Sequence, residues 1–92
     1  MGEIAVACER VADGWLVRVT VQGGGPARNY LVTVSQPELA RLDPGSADPS
    51  DLVRRSFEFL LAREPKESIL ASFGLSVIGR YFPEYEAEIR RT

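Results

Sequence analysis

A chain of 92 residues accommodates one small domain, over residues 1–92, and leaves no room for a second hydrophobic core. With 45% apolar and 26% charged residues, its composition excludes intrinsic disorder and is typical of a globular protein. The formal net charge of -2 provides no general attraction to nucleic acid or to an anionic membrane, so neither is an expected partner.

Three segments in the first third of the chain alternate apolar and polar side chains, as strands with one buried face do. The residues predicted to face the core are Ile4, Val6 and Cys8, then Trp15, Val17, Val19 and Val21, and finally Tyr30, Val32 and Val34. Short glycine-containing connections separate the segments, which favours antiparallel hairpins. The sequence therefore predicts a three-stranded antiparallel meander with one buried side.

The period then changes to that of helices. One short helix is predicted over residues 37–42. A second start follows, with Asp48 as a good N-cap and Pro49 suited to the first turn. Apolar residues between Leu52 and Arg63 form a wide stripe at helical spacing, so this helix is predicted to cover the sheet.

Short helices are also predicted after Pro65, which cannot continue a helix interior. They are expected over residues 66–73, with Gly74 as the stop, over residues 76–81, and from Pro83 onward. The predicted fold class is therefore α+β, with an N-terminal three-stranded antiparallel meander packed against several short C-terminal helices.

The segment from Ser56 to Glu86 carries the pieces SFEFLL, REPKESIL, LSVI and RYFPEYE. In these pieces the chain resembles a family of short, uncharacterised bacterial proteins. The resemblance covers the C-terminal third to half of the chain and implies a shared fold and a bacterial source. It implies no activity and no catalytic residue.

The residue types that usually carry catalysis are scarce. The chain has no histidine, which removes imidazole acid–base chemistry and most zinc sites. Cys8 lies on the apolar side of a strand with no activating base nearby in the sequence, so a buried core thiol is expected. The sequence thus predicts no catalytic residue, no metal ligand and no cofactor. An enzyme remains an alternative, and it would have to rely on carboxylates, arginine or tyrosine alone.

Nucleic-acid binding is a second alternative, which the sequence favours less than a protein partner. The stretch from Leu70 to Arg80 has the outline of a helix-turn-helix, but it lacks the outward polar side chains of a recognition helix. Arg18, Thr20 and Arg28 would line the polar face of the sheet. Sheet-based RNA readers place stacking aromatic residues on that face, whereas here the aromatic residues fall on the opposite one.

The apolar residues of the C-terminal half exceed what a three-stranded sheet is expected to cover. Surplus apolar surface on a small domain commonly marks an interface. The candidate interface residues are Phe59, Tyr81, Phe82 and Tyr85. We therefore expect a non-catalytic protein-interaction or self-associating domain, as a homodimer or with another protein. The single cysteine and the lack of an apolar spanning segment favour a cytoplasmic location and no membrane contact.

Overall fold

The computed structural model describes residues 3–91. Its strands are β1 (Glu3–Val11), β2 (Gly14–Gln22), β3 (Arg28–Ser35) and β4 (Ser72–Gly74). They form one sheet in the order β1-β2-β3-β4, in which the first three strands are antiparallel and β4 is parallel to β3. The predicted antiparallel meander is confirmed, and the sheet is one strand wider than predicted.

The helix predicted over residues 66–73 is wrong. That segment contains a single 3-10 turn, Lys66–Ser68, followed by β4. The backbone of β3 decides this, because its outer edge would otherwise leave polar groups unpaired. The amide of Leu31 donates to the carbonyl of Ala71 at 2.8 Å, and the amide of Leu75 donates to the carbonyl of Thr33 at 3.0 Å.

All the helices lie on one face of the sheet. They are α1 (Gln36–Leu42), α2 (Ser50–Leu61), α3 (Val77–Tyr81) and α4 (Tyr85–Arg91). The predicted start of α2 is corrected by one position, because Pro49 and not Asp48 is its N-cap. The carboxylate of Asp48 instead accepts hydrogen bonds from the amide and hydroxyl of Ser50, which lower the pKa of Asp48.

The hydrophobic core lies between the sheet and the helices. The predicted inward faces of β2 and β3 are buried, and Val17 and Val32 are fully so. The predicted inward face of β1 is covered by the helices only in part, because Ile4, Val6 and Cys8 are half-buried. Cys8 is thus packed against the core without being enclosed by it, and its pKa is raised by this burial and, to a smaller extent, by the charge of Asp48. No helix of residues 3–91 lies on the opposite face of the sheet.

Glu38 links two of the helices. Its carboxylate accepts from the amide of Ser35 at 2.7 Å while Ser35 Oγ accepts from the amide of Glu38, which makes a capping box at the start of α1. The second carboxylate oxygen accepts from the amide of Ser76 at 3.2 Å, just before α3. This side chain therefore fixes the position of α3 relative to α1.

Replacing Glu38 with alanine is expected to lower the free energy of unfolding by about 1 kcal/mol, because two backbone amides lose their acceptor. Urea denaturation followed by circular dichroism measures the change. Glu58→Ala is the matched control, since Glu58 is exposed in the middle of α2, and it is expected to shift stability by less than about 0.5 kcal/mol. Equal effects for the two variants would contradict the linking role of Glu38.

Candidate functional site

An apolar concavity lies between the end of α2, the segment before β4, and α3. It has a volume of about 360 Å³. We call it the α3 groove, and its lining residues are Leu60, Glu64, Ser68, Ile69, Leu70, Phe73, Val77, Ile78, Tyr81 and Phe82. Eight of these ten side chains are apolar, so the groove is suited to apolar ligands.

Local structure explains why these residues converge. In α3 the residues at i, i+1 and i+4 share a face, so Val77, Ile78 and Tyr81 all point to the groove. The parallel pairing of β4 with β3 places Phe73 opposite Val32 on the core side of the sheet. The ring of Phe73 lies 6.1 Å from that of Phe57, so the groove rests on the hydrophobic core.

The groove has a buried floor and an exposed rim. Leu60, Ile69 and Ile78 are buried at its base. Leu70 and Tyr81 stand at its edge, with 50% and 68% of their surface exposed. Exposed apolar side chains that continue an apolar surface commonly mark a binding site, whereas single ones scattered over a surface do not.

Two charged residues accompany the groove. Glu64 is in its lining, and Arg80 is the exposed neighbour of Tyr81 on α3. Within residues 3–91 neither one forms an ion pair. Arg63, in contrast, forms ion pairs with Glu84 at 3.3 Å and with Glu88 at 2.7 Å.

The four residues predicted as an interface occupy different places in the structure. Phe59 and Tyr85 are buried inside the chain, with their ring centroids 5.2 Å apart. Phe82 is half-buried, packs edge-on to Phe59 at 5.8 Å, and lines the α3 groove. Of the four, Tyr81 is the exposed one, so the surface available to a partner is centred on α3.

Sequence reasoning missed Leu70, Phe73 and Val77 as site residues. Leu70 and Phe73 fall in the helix predicted over residues 66–73. The run from Ile69 to Phe73 has no period of two, so no local signal predicts the strand that pairs Phe73 with β3.

A smaller concavity of about 240 Å³ lies beside the β2–β3 hairpin. The sole lysine of the chain, Lys66, is buried there, and its ammonium donates to the carbonyl of Gly23. The hydroxyl of Tyr30 donates to the carbonyl of Lys66 at 2.6 Å. Gly23, Gly24 and Gly25 all have positive φ, which only glycine adopts readily, so Lys66 holds a glycine-specific turn against the 3-10 helix.

Side chains predicted for a nucleic-acid site on the sheet bond to neighbouring side chains of the chain itself. Arg18 pairs with Glu9 at 3.3 Å, and Thr20 bonds Asn29 at 2.9 Å, on the uncovered face of the sheet. The prediction that Arg28 lies on this face is wrong, because Arg28 is paired with Val21 and therefore lies on the core side of the sheet. The helix-turn-helix outline contains a strand where its first helix would be. Between residues 3 and 91 no group of three or more acidic or cysteine side chains is placed to hold a metal ion.

Comparison with known proteins gives no match to a family model, a curated protein or a solved structure. The resemblance of residues 56–86 to a bacterial family therefore stays a prediction. Among residues 3–91 there is no helix with both the length and the apolar character needed to cross a bilayer.

Proposed function

We propose that the protein is a non-catalytic interaction domain whose α3 groove binds an amphipathic helix of another protein. The observation that carries the proposal is the exposure of Leu70 and Tyr81 at the rim of an apolar cavity of about 360 Å³. Apolar grooves of this kind accept the apolar face of a helix in several classes of peptide-binding domain. The single cysteine is the reason to place this interaction in a reducing cytoplasm.

The shape of the groove favours a helix over an extended segment. An extended peptide binds by adding a strand to a free sheet edge, and β4 offers only three residues for such pairing. A helix needs no main-chain partner, and it presents apolar side chains one turn apart to a concave surface. A cavity of about 360 Å³ has room for two or three such side chains, near the lower end of the usual range of binding pockets.

The occupant is a different protein because this chain has no described segment that fits. The large apolar residues exposed within residues 3–91 are Val11, Leu31, Leu70 and Tyr81. The first two belong to strands, and the last two form the rim of the groove itself. No described helix therefore exposes two large apolar side chains one turn apart.

The carboxylate of Glu64 in the groove adds a requirement for the charge of the bound helix. Glu64 lies among the apolar lining residues and has no ion-pair partner within residues 3–91. A lysine or arginine on the polar border of the bound helix would meet this carboxylate. Such a pair contributes mainly to specificity and to the rate of association.

Selection from a displayed library of helical peptides tests the proposal. The enriched peptides are expected to carry apolar residues three and four positions apart, with a basic residue beside them. Fluorescence anisotropy then gives the dissociation constant of an enriched peptide. Leu70→Arg is expected to weaken its binding about tenfold or more, because a charge replaces an apolar contact of the rim.

Leu31→Arg is the matched control, since Leu31 is 40% exposed on the uncovered face of the sheet, which is the face opposite to the groove. It is expected to leave peptide binding unchanged. In the Glu64→Arg variant the selected peptides are expected to carry acidic residues in place of basic ones. Peptides that bind the Leu70→Arg variant as tightly as the unmodified protein, or a selection that enriches no sequence, would refute the proposal.

A further inference from the structure

The outer edge of β1 is a long and regular strand edge. Residues Glu3 to Val11 pair with β2 one to one, with no bulge over nine residues. Within residues 3–91 only β2 lies beside β1 in the sheet, and the strand contains no proline. Its second edge therefore presents unpaired backbone amides and carbonyls, which form a template for another strand.

The helical layer covers the side chains of β1 only in part, although α2 packs against this strand. Ile4, Val6 and Cys8 point to the core side but are only half-buried. Their neighbours on β2, which occupy the same face, are buried almost completely. Apolar surface of the core thus continues to the sheet edge, where it is only partly covered, beside the outer backbone edge of β1.

We propose that β1 pairs antiparallel with β1 of a second copy of this chain, which joins the two sheets into one of eight strands. The pairing would satisfy the free backbone groups of both edges at once. It would also bring the half-buried side chains of Ile4, Val6 and Cys8 from the two copies together on the core side, where they cover each other. Both contributions arise from a single two-fold contact.

The strand is complementary to itself in one register. All nine residues overlap when the two-fold axis passes through Ala7. The pairs across the axis are then Glu3 with Val11, Ile4 with Arg10, Ala5 with Glu9, and Val6 with Cys8. No two like charges face each other, and the small side chain of Ala7 lies at the axis on the uncovered face of the sheet.

The neighbouring registers are poorer. An axis through Val6 pairs only seven residues and sets Glu3 opposite Glu9 twice, and like charges directly opposite each other destabilise a sheet. An axis through Cys8 also reduces the overlap to seven residues. The charges and the length of β1 therefore select the register centred on Ala7. This self-complementarity is the reason to commit to a second copy and not to a strand of another protein.

The contact is independent of the α3 groove. β1 is at one edge of the sheet, whereas β4, which contributes Phe73 to the groove, is at the other edge. Two paired copies would leave both grooves accessible. Pairing through β1 is therefore independent of the proposed binding of a helix in the α3 groove, and separate experiments test the two.

Light scattering on a size-exclusion column tests the association. The unmodified chain is expected to elute with twice the 10.2 kDa of one copy across the micromolar range. Ala7→Lys is expected to raise the dimer dissociation constant at least tenfold, because two introduced ammonium groups meet at the axis. Ala7 is exposed, so the fold tolerates this change, and Thr33→Lys on the exposed face of β3 is the matched control that stays dimeric.

Cross-linking tests the register. With Cys8 replaced by serine, Ala7→Cys is expected to give a disulfide-linked dimer under mild oxidation, since the two introduced thiols face each other. Ala5→Cys in the same background is expected not to, because those positions lie ~13 Å apart along the strands. A monomer at all concentrations overturns the proposal. So does a dimer that survives Ala7→Lys, or equal cross-linking from positions 5 and 7.

Discussion

Replacing Phe57 with alanine is expected to lower the free energy of unfolding by about 3 to 5 kcal/mol. Phe57 is fully buried in α2, and its ring centroid is 5.1 Å from that of Tyr30 and 6.1 Å from that of Phe73. The substitution therefore removes contacts to β3 and β4 together and leaves a cavity between the helix and the sheet. Against a typical total stability of roughly 5 to 15 kcal/mol, such a loss leaves a small domain close to unfolding.

Urea denaturation monitored by circular dichroism measures this loss. Tyr81→Ala is the control, because it also truncates an aromatic side chain but one that is 68% exposed, and its expected effect is within about 0.5 kcal/mol. A loss of less than about 1 kcal/mol for Phe57→Ala would show that the helix and sheet are not held together at this residue.

Raising the pH from 10 to 12 is expected to reduce the free energy of unfolding through Tyr85. Burial raises the pKa of this side chain to about 12, with Ser56 and Arg55 opposing the rise, and its hydroxyl lies 2.7 Å from Ser56 Oγ. In the unfolded chain the same group titrates near 10.0. A difference of two in pKa corresponds to about 2.7 kcal/mol.

The sign follows from which state binds the proton more tightly. The folded protein holds the proton of Tyr85 above pH 10, where the unfolded chain releases it, so ionisation favours unfolding as the pH rises. The contribution is complete below pH 10 and is lost as the pH approaches 12. The pKa of Tyr30 is also raised, by burial first, and adds a smaller decline in the same direction.

The Tyr85→Phe variant isolates the effect. It lacks the ionisable hydroxyl while it keeps the ring against Phe59, so its stability is expected to fall less between pH 10 and 12. Urea denaturation at intervals of pH gives both profiles. Parallel profiles for the variant and the unmodified protein would contradict the assignment to Tyr85.

The meander and α1 were predictable because their signals are local. In β2 and β3 the period of two assigned each inward residue correctly, and the helix predicted over residues 37–42 is α1 (Gln36–Leu42). The inward row of β1 was also assigned to the right side, but its half-exposure follows from how far the helices extend across the sheet. That extent depends on packing, which the strand's own residues do not encode.

The α3 groove was predictable only in part. Tyr81 and Phe82 are among the predicted interface residues, and they line the groove. Phe59 and Tyr85, which were predicted for the same interface, are buried against each other because α2 and α4 pack together. Composition gives the number of apolar residues in a segment, whereas the packing of the helices decides which of them remain exposed.

By itself the sequence determined the α+β class, the three strands of the meander with the helices that follow them outside residues 66–74, and which face of each strand of the meander points inward. These properties depend on side-chain periodicity over a few residues. Only the tertiary structure decided that residues 72–74 form a strand. They pair in parallel with the outer edge of β3, which lies some 40 positions earlier in the chain. A parallel pair between such distant segments leaves no local pattern, because the hydrogen-bonding partner lies outside the segment. The α3 groove exists because of that pairing, since it sets Phe73 beside the residues of α3.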